Sequence, residues 1–109
     1  MHLDTGADTA AFLEQALEKL GLTRREANEF IVYWLPLMEQ NPYNIIAFQT
    51  EAYTEAAALH IDPAPDTLLR VFMVWRGSDS FVELSPQTLT APARTGFTVV
   101  EWGGTVLSN

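Results

Sequence analysis

The chain has no cysteine, and that one absence removes disulfide bridges, thiol nucleophiles and zinc-thiolate centres. Histidine is almost missing as well. His2 and His60 are the only two, so a three-histidine metal site within one chain is excluded. Basic residues are few and scattered: Lys19, Arg24, Arg25, Arg70, Arg76 and Arg94 stand against 14 acidic residues, a net charge of −8. A charge of that sign repels a nucleic-acid backbone and an anionic membrane surface, and it suits a basic protein or a cationic ligand better. No apolar run approaches the roughly 20 residues of a membrane helix. Residues 1–8 lack the basic patch and apolar core of a secretion signal. The expectation is an acidic, soluble domain with no metal, no cofactor, no nucleic-acid partner and no membrane insertion.

What is present is enough for one core. With 109 residues and 48% hydrophobic content, the chain reads as a single domain spanning 1–109. Between residues 8 and 20, Phe12, Leu13, Ala16, Leu17 and Leu20 recur at helical spacing opposite Glu14, Gln15, Glu18 and Lys19. Gly21 follows as a left-handed stop. Thr23 and Glu26 then have the spacing of a reciprocal capping box, which opens a second helix bearing Ala27, Phe30, Ile31, Trp34, Leu35 and Met38 on one side. Pro36 removes a helical donor inside that pattern, so a kink or an early end is expected near Leu35.

The period changes after Asn41 and Pro42. Residues 43–49 read as a first strand, and residues 50–57 suit either a helical turn or an extended connection. Leu59 and Ile61 suggest a short second strand, closed by the Asp62-Pro63-Ala64-Pro65-Asp66 loop. Residues 68–75 are the most apolar run and fit a central strand covered on both faces. A strand is expected at 81–84 and a last one at 97–102, before Gly103 and Gly104. Helices first and strands afterwards, with no helix of crossover length between the later strands, argue for an α+β fold. Two N-terminal helices should pack on a mainly antiparallel sheet of about four to five strands.

Arg70 stands alone in its apolar run, and Glu101 stands alone in Val99-Val100-Glu101-Trp102. Were the two strands neighbours, a charge buried on one would need the other, because an unpaired buried ion is costly. The pair reads either as a site carboxylate oriented by an arginine or as a structural cross-strand bridge. Tyr33, Trp34, Tyr43, Tyr53, Trp75 and Trp102 together offer a stacking platform for sugars or a peptide, but Trp34 and Trp75 sit in apolar runs and read as core. Trp102, followed by two glycines, reads as core or as a stacking surface at a sheet margin.

The remaining polar residues form no recognisable site. Ser78, Ser80, Ser85 and Ser108 lie in no nucleophile-elbow pattern and lack a central histidine partner. Gly103-Gly104 is not a phosphate loop. His60, Asp62 and Asp66 lack the spacing and glycine of a calcium loop and read as turn chemistry. Pairs such as Glu51 with Glu55 are uninformative in so acidic a chain.

Four segments taken together, residues 26–36, 41–44, 65–73 and 96–104, resemble the C-terminal region of an uncharacterised family of bacterial proteins common in gut Firmicutes. Longer members carry an upstream strand-rich half with a Lys-Pro-x-Ile-Tyr-Leu-Tyr-Pro motif, often behind a secretion or lipoprotein signal. The chain departs from the pattern at residues 76–81, where relatives more often have a Pro-Leu turn. The resemblance implies the C-terminal half of a larger secreted or envelope-associated protein, and a sheet edge left open here for homodimer formation. It implies no activity.

The functional expectation is a non-catalytic binding or accessory domain of an extracytoplasmic bacterial protein, taking a protein, peptide or glycan, with Arg70, Glu101 and Trp102 as candidate binding residues. The alternative is a hydrolase-type domain using carboxylates with Arg70, completed by an upstream half.

Overall fold

A computed structural model describes residues 1–49 and 60–107. Strand β1 (His2–Thr5) leads through one 3-10 turn into helix α1 (Thr9–Lys19), followed by α2 (Arg24–Met38), β2 (Tyr43–Gln49), β3 (Thr67–Ser78) and β4 (Thr98–Val106). The fold is α+β, with both helices on one face of a mixed sheet of order β1-β2-β3-β4.

Local chemistry explains the helix ends. Gly21 at φ +98° closes α1 by letting Leu22 N–H reach Leu17 O and Gly21 N–H reach Glu18 O, both at 3.0 Å. These two bonds satisfy carbonyls that the last helical turn leaves free, and Leu17 and Leu22 are buried together beneath them. Two residues later Thr23 Oγ1 accepts from Glu26 N–H at 3.2 Å while Glu26 Oε1 accepts from Thr23 N–H at 2.8 Å. This is the expected capping box, and it starts α2 one turn after α1 ends.

Pro36 neither ends α2 nor shortens it to Leu35. The helix continues to Met38, where Glu39 N–H closes it on Leu35 O at 2.9 Å. The carbonyl that Pro36 leaves without a helical donor belongs to Val32, a residue 75% exposed. Water can solvate that group, so the missing bond is tolerated.

β3 pairs antiparallel with β2 and parallel with β4, while β1 pairs antiparallel with β2. Two of the three ladders are therefore antiparallel. The parallel ladder arises because residues 79–97 return the chain along the whole length of β3 without forming a helix. Nineteen extended residues reach about 60 Å, whereas the twelve residues of β3 span about 40 Å.

Several expectations change accordingly. Residues 60–61 and 81–84 form no strand, and β4 runs through both glycines to Val106. β1 was not expected, since its four residues are too few to show a period. The ambiguous stretch at 50–57 and Leu59 lie outside the described residues.

Burial along β3 alternates instead of being continuous. Thr67, Leu69, Val71, Met73 and Trp75 are buried under the helices, and the residues between them are half-buried. Leu13, Ala16, Leu17, Ala27, Phe30, Trp34 and Met38 complete this core from the helix side. Three polar side chains, Thr9, Asn44 and Thr67, are buried with it. Asn44, fully buried on β2, donates to Thr9 Oγ1 at 3.0 Å and to Met38 O at 2.9 Å, and its Oδ1 accepts from Asn41 at 2.9 Å. The amide thus ties the start of α1 to the end of α2 at no desolvation loss, because each of its polar atoms has a partner.

Candidate binding surface at strand β4

Arg70 and Glu101 are direct register partners on the parallel strands β3 and β4. Their side chains therefore leave the same face of the sheet, the one opposite the helices. Arg70 Nε donates to Glu101 Oε2 at 3.1 Å, with the arginine side chain 3% exposed and the glutamate 38% exposed. The geometry is that of a half-buried bridge: a covered guanidinium holds a carboxylate that still meets solvent.

Trp102 follows Glu101 in the strand and so faces the other way. It is half-buried against α2, with its ring 5.2 Å from Phe30 in an edge arrangement and 5.9 Å from Tyr33. The three candidate residues thus divide into a pair on one face and a tryptophan on the other, and they form no single pocket. Trp34 and Trp75 are core residues, meeting edge to face at 6.4 Å. Their buried indole N–H groups meet no acceptor among the described residues.

The two glycines after Trp102 serve this packing. A Cβ on Gly104 would lie 2.8 Å from both the Trp34 ring and Met73 O, so only glycine admits the indole so close to β4. Gly103 faces the opposite side, where the Phe72 ring stands at an ordinary 3.6 Å.

Above Trp102 lies Tyr33, one of the aromatic residues that the sequence offers as a stacking platform. Tyr33 is 61% exposed, although its ring touches Trp34 at 4.9 Å as well as Trp102. An amphipathic ring next to a half-buried indole offers contact area and a hydroxyl together. Its signal in the sequence was its position between Val32 and Trp34, which turns it off the buried stripe of α2. Alongside this pair runs β4, and among the described residues no strand pairs with its outer edge.

Other candidate groups have structural work. Asp66 Oδ2 accepts from Phe97 N–H at 2.7 Å, beside Gly96 at φ +58°, so this aspartate fixes the start of β4. Thr67 Oγ1 bonds Thr95 through both its N–H and its O at 3.0 Å. His60 is exposed, and no group of three or more metal-ligating side chains occurs among the described residues.

The one clearly displaced carboxylate among the described residues is Glu26, which Arg94 engages through two bonds of 2.7 and 3.2 Å. The arginine holds its pKa down at about 2, aided by the Thr23 N–H and opposed by partial burial, and the glutamate in turn raises that of Arg94. A depressed carboxylate is the reverse of a general acid. Here it pins the crossover to the first turn of α2.

No helix among the described residues is long and apolar enough to cross a membrane. Comparison of the chain with known protein families, with curated proteins and with solved structures finds no match.

Proposed function

We propose that this chain is a non-catalytic binding domain that takes an extended peptide segment of a protein ligand along the outer edge of β4, with Tyr33 and Trp102 as the anchor. The observation that carries this reading is the exposed Tyr33 ring set on a half-buried Trp102 beside that edge. Main-chain groups of an edge strand supply affinity to any extended chain, and a neighbouring aromatic step selects a side chain. The net charge of −8 favours a basic segment. Resemblance to envelope-associated bacterial proteins supports a place as an accessory domain of a larger extracytoplasmic protein. Arg70, already covered and engaged by Glu101, is better suited to orienting that carboxylate than to contacting a hydrolase substrate.

An array of extended peptides pairing lysine with apolar residues, probed with the whole chain beside a glycan array, tests the reading. Binding to the basic peptides should fall at least about tenfold in Tyr33→Ala, as expected for an aromatic anchor, while thermal unfolding is unchanged because the side chain is mostly exposed. Peptide binding that ignores Tyr33, or capture of glycans alone, would refute it. Sedimentation of the chain as a dimer that Tyr33→Ala leaves intact would instead assign the β4 edge to a second copy.

A further inference from the structure

At the opposite side of the helix layer, α1 and the crossover enclose a cavity of about 260 Å³. Its α1 wall is a single stripe, Phe12, Gln15, Ala16 and Lys19, spaced i, i+3, i+4 and i+7, and its floor is Ile46 and Phe48 of β2. The His2 ring lies on Phe12 at 3.7 Å and 6°, and Phe12 tilts toward Phe48 at 6.5 Å, so the walls are flat and aromatic. Leu89 and the Gln87 stem close the crossover side.

The Gln87 amide itself is already engaged. Its Nε2 donates to Phe48 O at 2.7 Å and its Oε1 accepts from Phe48 N–H at 2.9 Å, which holds the wall in place. His2 Nε2 is likewise directed at Asp4 Oδ2, 3.3 Å away.

The charge of the lining is unusual for this molecule. The chain has 14 acidic residues, yet none of the described ones lines the cavity. Glu14 and Glu18 turn to a separate cleft with Arg24. Lys19 is the one permanent cation of the lining, is exposed, and takes no part in the ion pairs of the described residues. An apolar cavity of about 150 Å³ accommodates a single benzene ring. The larger volume here suits a second fused ring, with one polar group reaching the mouth.

We propose that this cavity binds a small planar aromatic carboxylate, its ring between Phe12, Phe48 and Leu89 and its carboxylate on the Lys19 ammonium. The site is separate from the β4 edge and does not depend on the function proposed for it.

The test uses the whole chain, 2-naphthoate and the isosteric neutral 2-naphthamide, followed by amide NMR shifts. Naphthoate should saturate with shifts at Phe12, Ala16, Lys19 and Phe48, and should bind about tenfold more tightly than naphthamide, the worth of one charge-assisted contact. In Lys19→Met, which alters only an exposed side chain, the two probes should bind equally, and Lys19→Arg should restore the preference. Equal binding of both probes to the unaltered chain, a preference that survives Lys19→Met, shifts centred elsewhere, or no saturation by either probe at millimolar concentration would each overturn the proposal.

Discussion

A single guanidinium decides how α2 starts and how the crossover ends. Arg94 reaches Glu26 and also donates to Gly21 O at 3.1 Å, so one side chain joins the end of α1, the cap of α2 and the approach to β4. Because the folded-state pKa of Glu26 is depressed to about 2, its contribution is complete above the ordinary carboxylate range and is lost as pH falls from about 5 through 2. Glu26→Gln keeps the acceptor for the cap but not the charge. It should unfold about 1 kcal/mol more easily at pH 7, a value reduced for solvent screening, and the difference should close as pH approaches 2 in urea titrations.

Arg70 and Glu101 make a different kind of pair. Had both been fully buried, removing either would cost about 3–5 kcal/mol. With Glu101 partly in solvent, about 1–2 kcal/mol is expected for Glu101→Gln. Its combination with Arg70→Met should cost less than the two single losses together, and additive losses in thermal unfolding would show that the two are not coupled.

At the scale of elements, β4 depends on which face each glycine serves. Gly104→Ala drives a Cβ into Trp34 and into the Met73 carbonyl, and the second of these is backbone that cannot swing away. A loss of about 1–3 kcal/mol is expected, the usual penalty of overpacking. Gly103→Ala meets only ordinary contact with Phe72 and should change stability by less than about 0.5 kcal/mol. Equal melting temperatures for the two variants would contradict the close seating of Trp34.

The elements also show what could be read in advance. The stop of α1 and the start of α2 followed from Gly21, Thr23 and Glu26, whose chemistry is local to a few residues. The early end at Pro36 did not occur because tolerance of a missing helical bond depends on whether the orphan carbonyl is wet, and burial is not a local property. β1 escaped notice since a four-residue strand has no period, and 81–84 looked like a strand because it is rich in apolar residues, though it joins no ladder among the described residues.

The whole molecule is held together by residues 79–97, a stretch without regular structure. It is anchored beside β1 where the Met1 nitrogen donates to Ser85 O at 3.1 Å, on β2 by Gln87, and on α2 by Arg94. Gln87 acts in place of a strand residue. β1 begins opposite Ile46, and two residues further along β2 the side-chain amide gives Phe48 both bonds that a neighbouring strand would. Gln87→Ala should leave this N–H and C=O unmatched at the edge, lower stability by about 1–2 kcal/mol, and speed hydrogen exchange of the Phe48 amide well before that of Met73. Unchanged exchange at Phe48 would mean that the amide is not what protects it.

Composition and local pattern were sufficient for the helical third, the capping chemistry, the central strand and the exclusion of thiol and histidine-triad chemistry. All of these rest on residue identity or on spacing within one element. Which face each strand presents, the parallel pairing of β3 with β4, the meeting of Arg70 with Glu101 and the separation of both from Trp102 were decided by tertiary structure alone. Each depends on register between segments far apart in the chain, where a shift of one residue would exchange every inward side chain for an outward one.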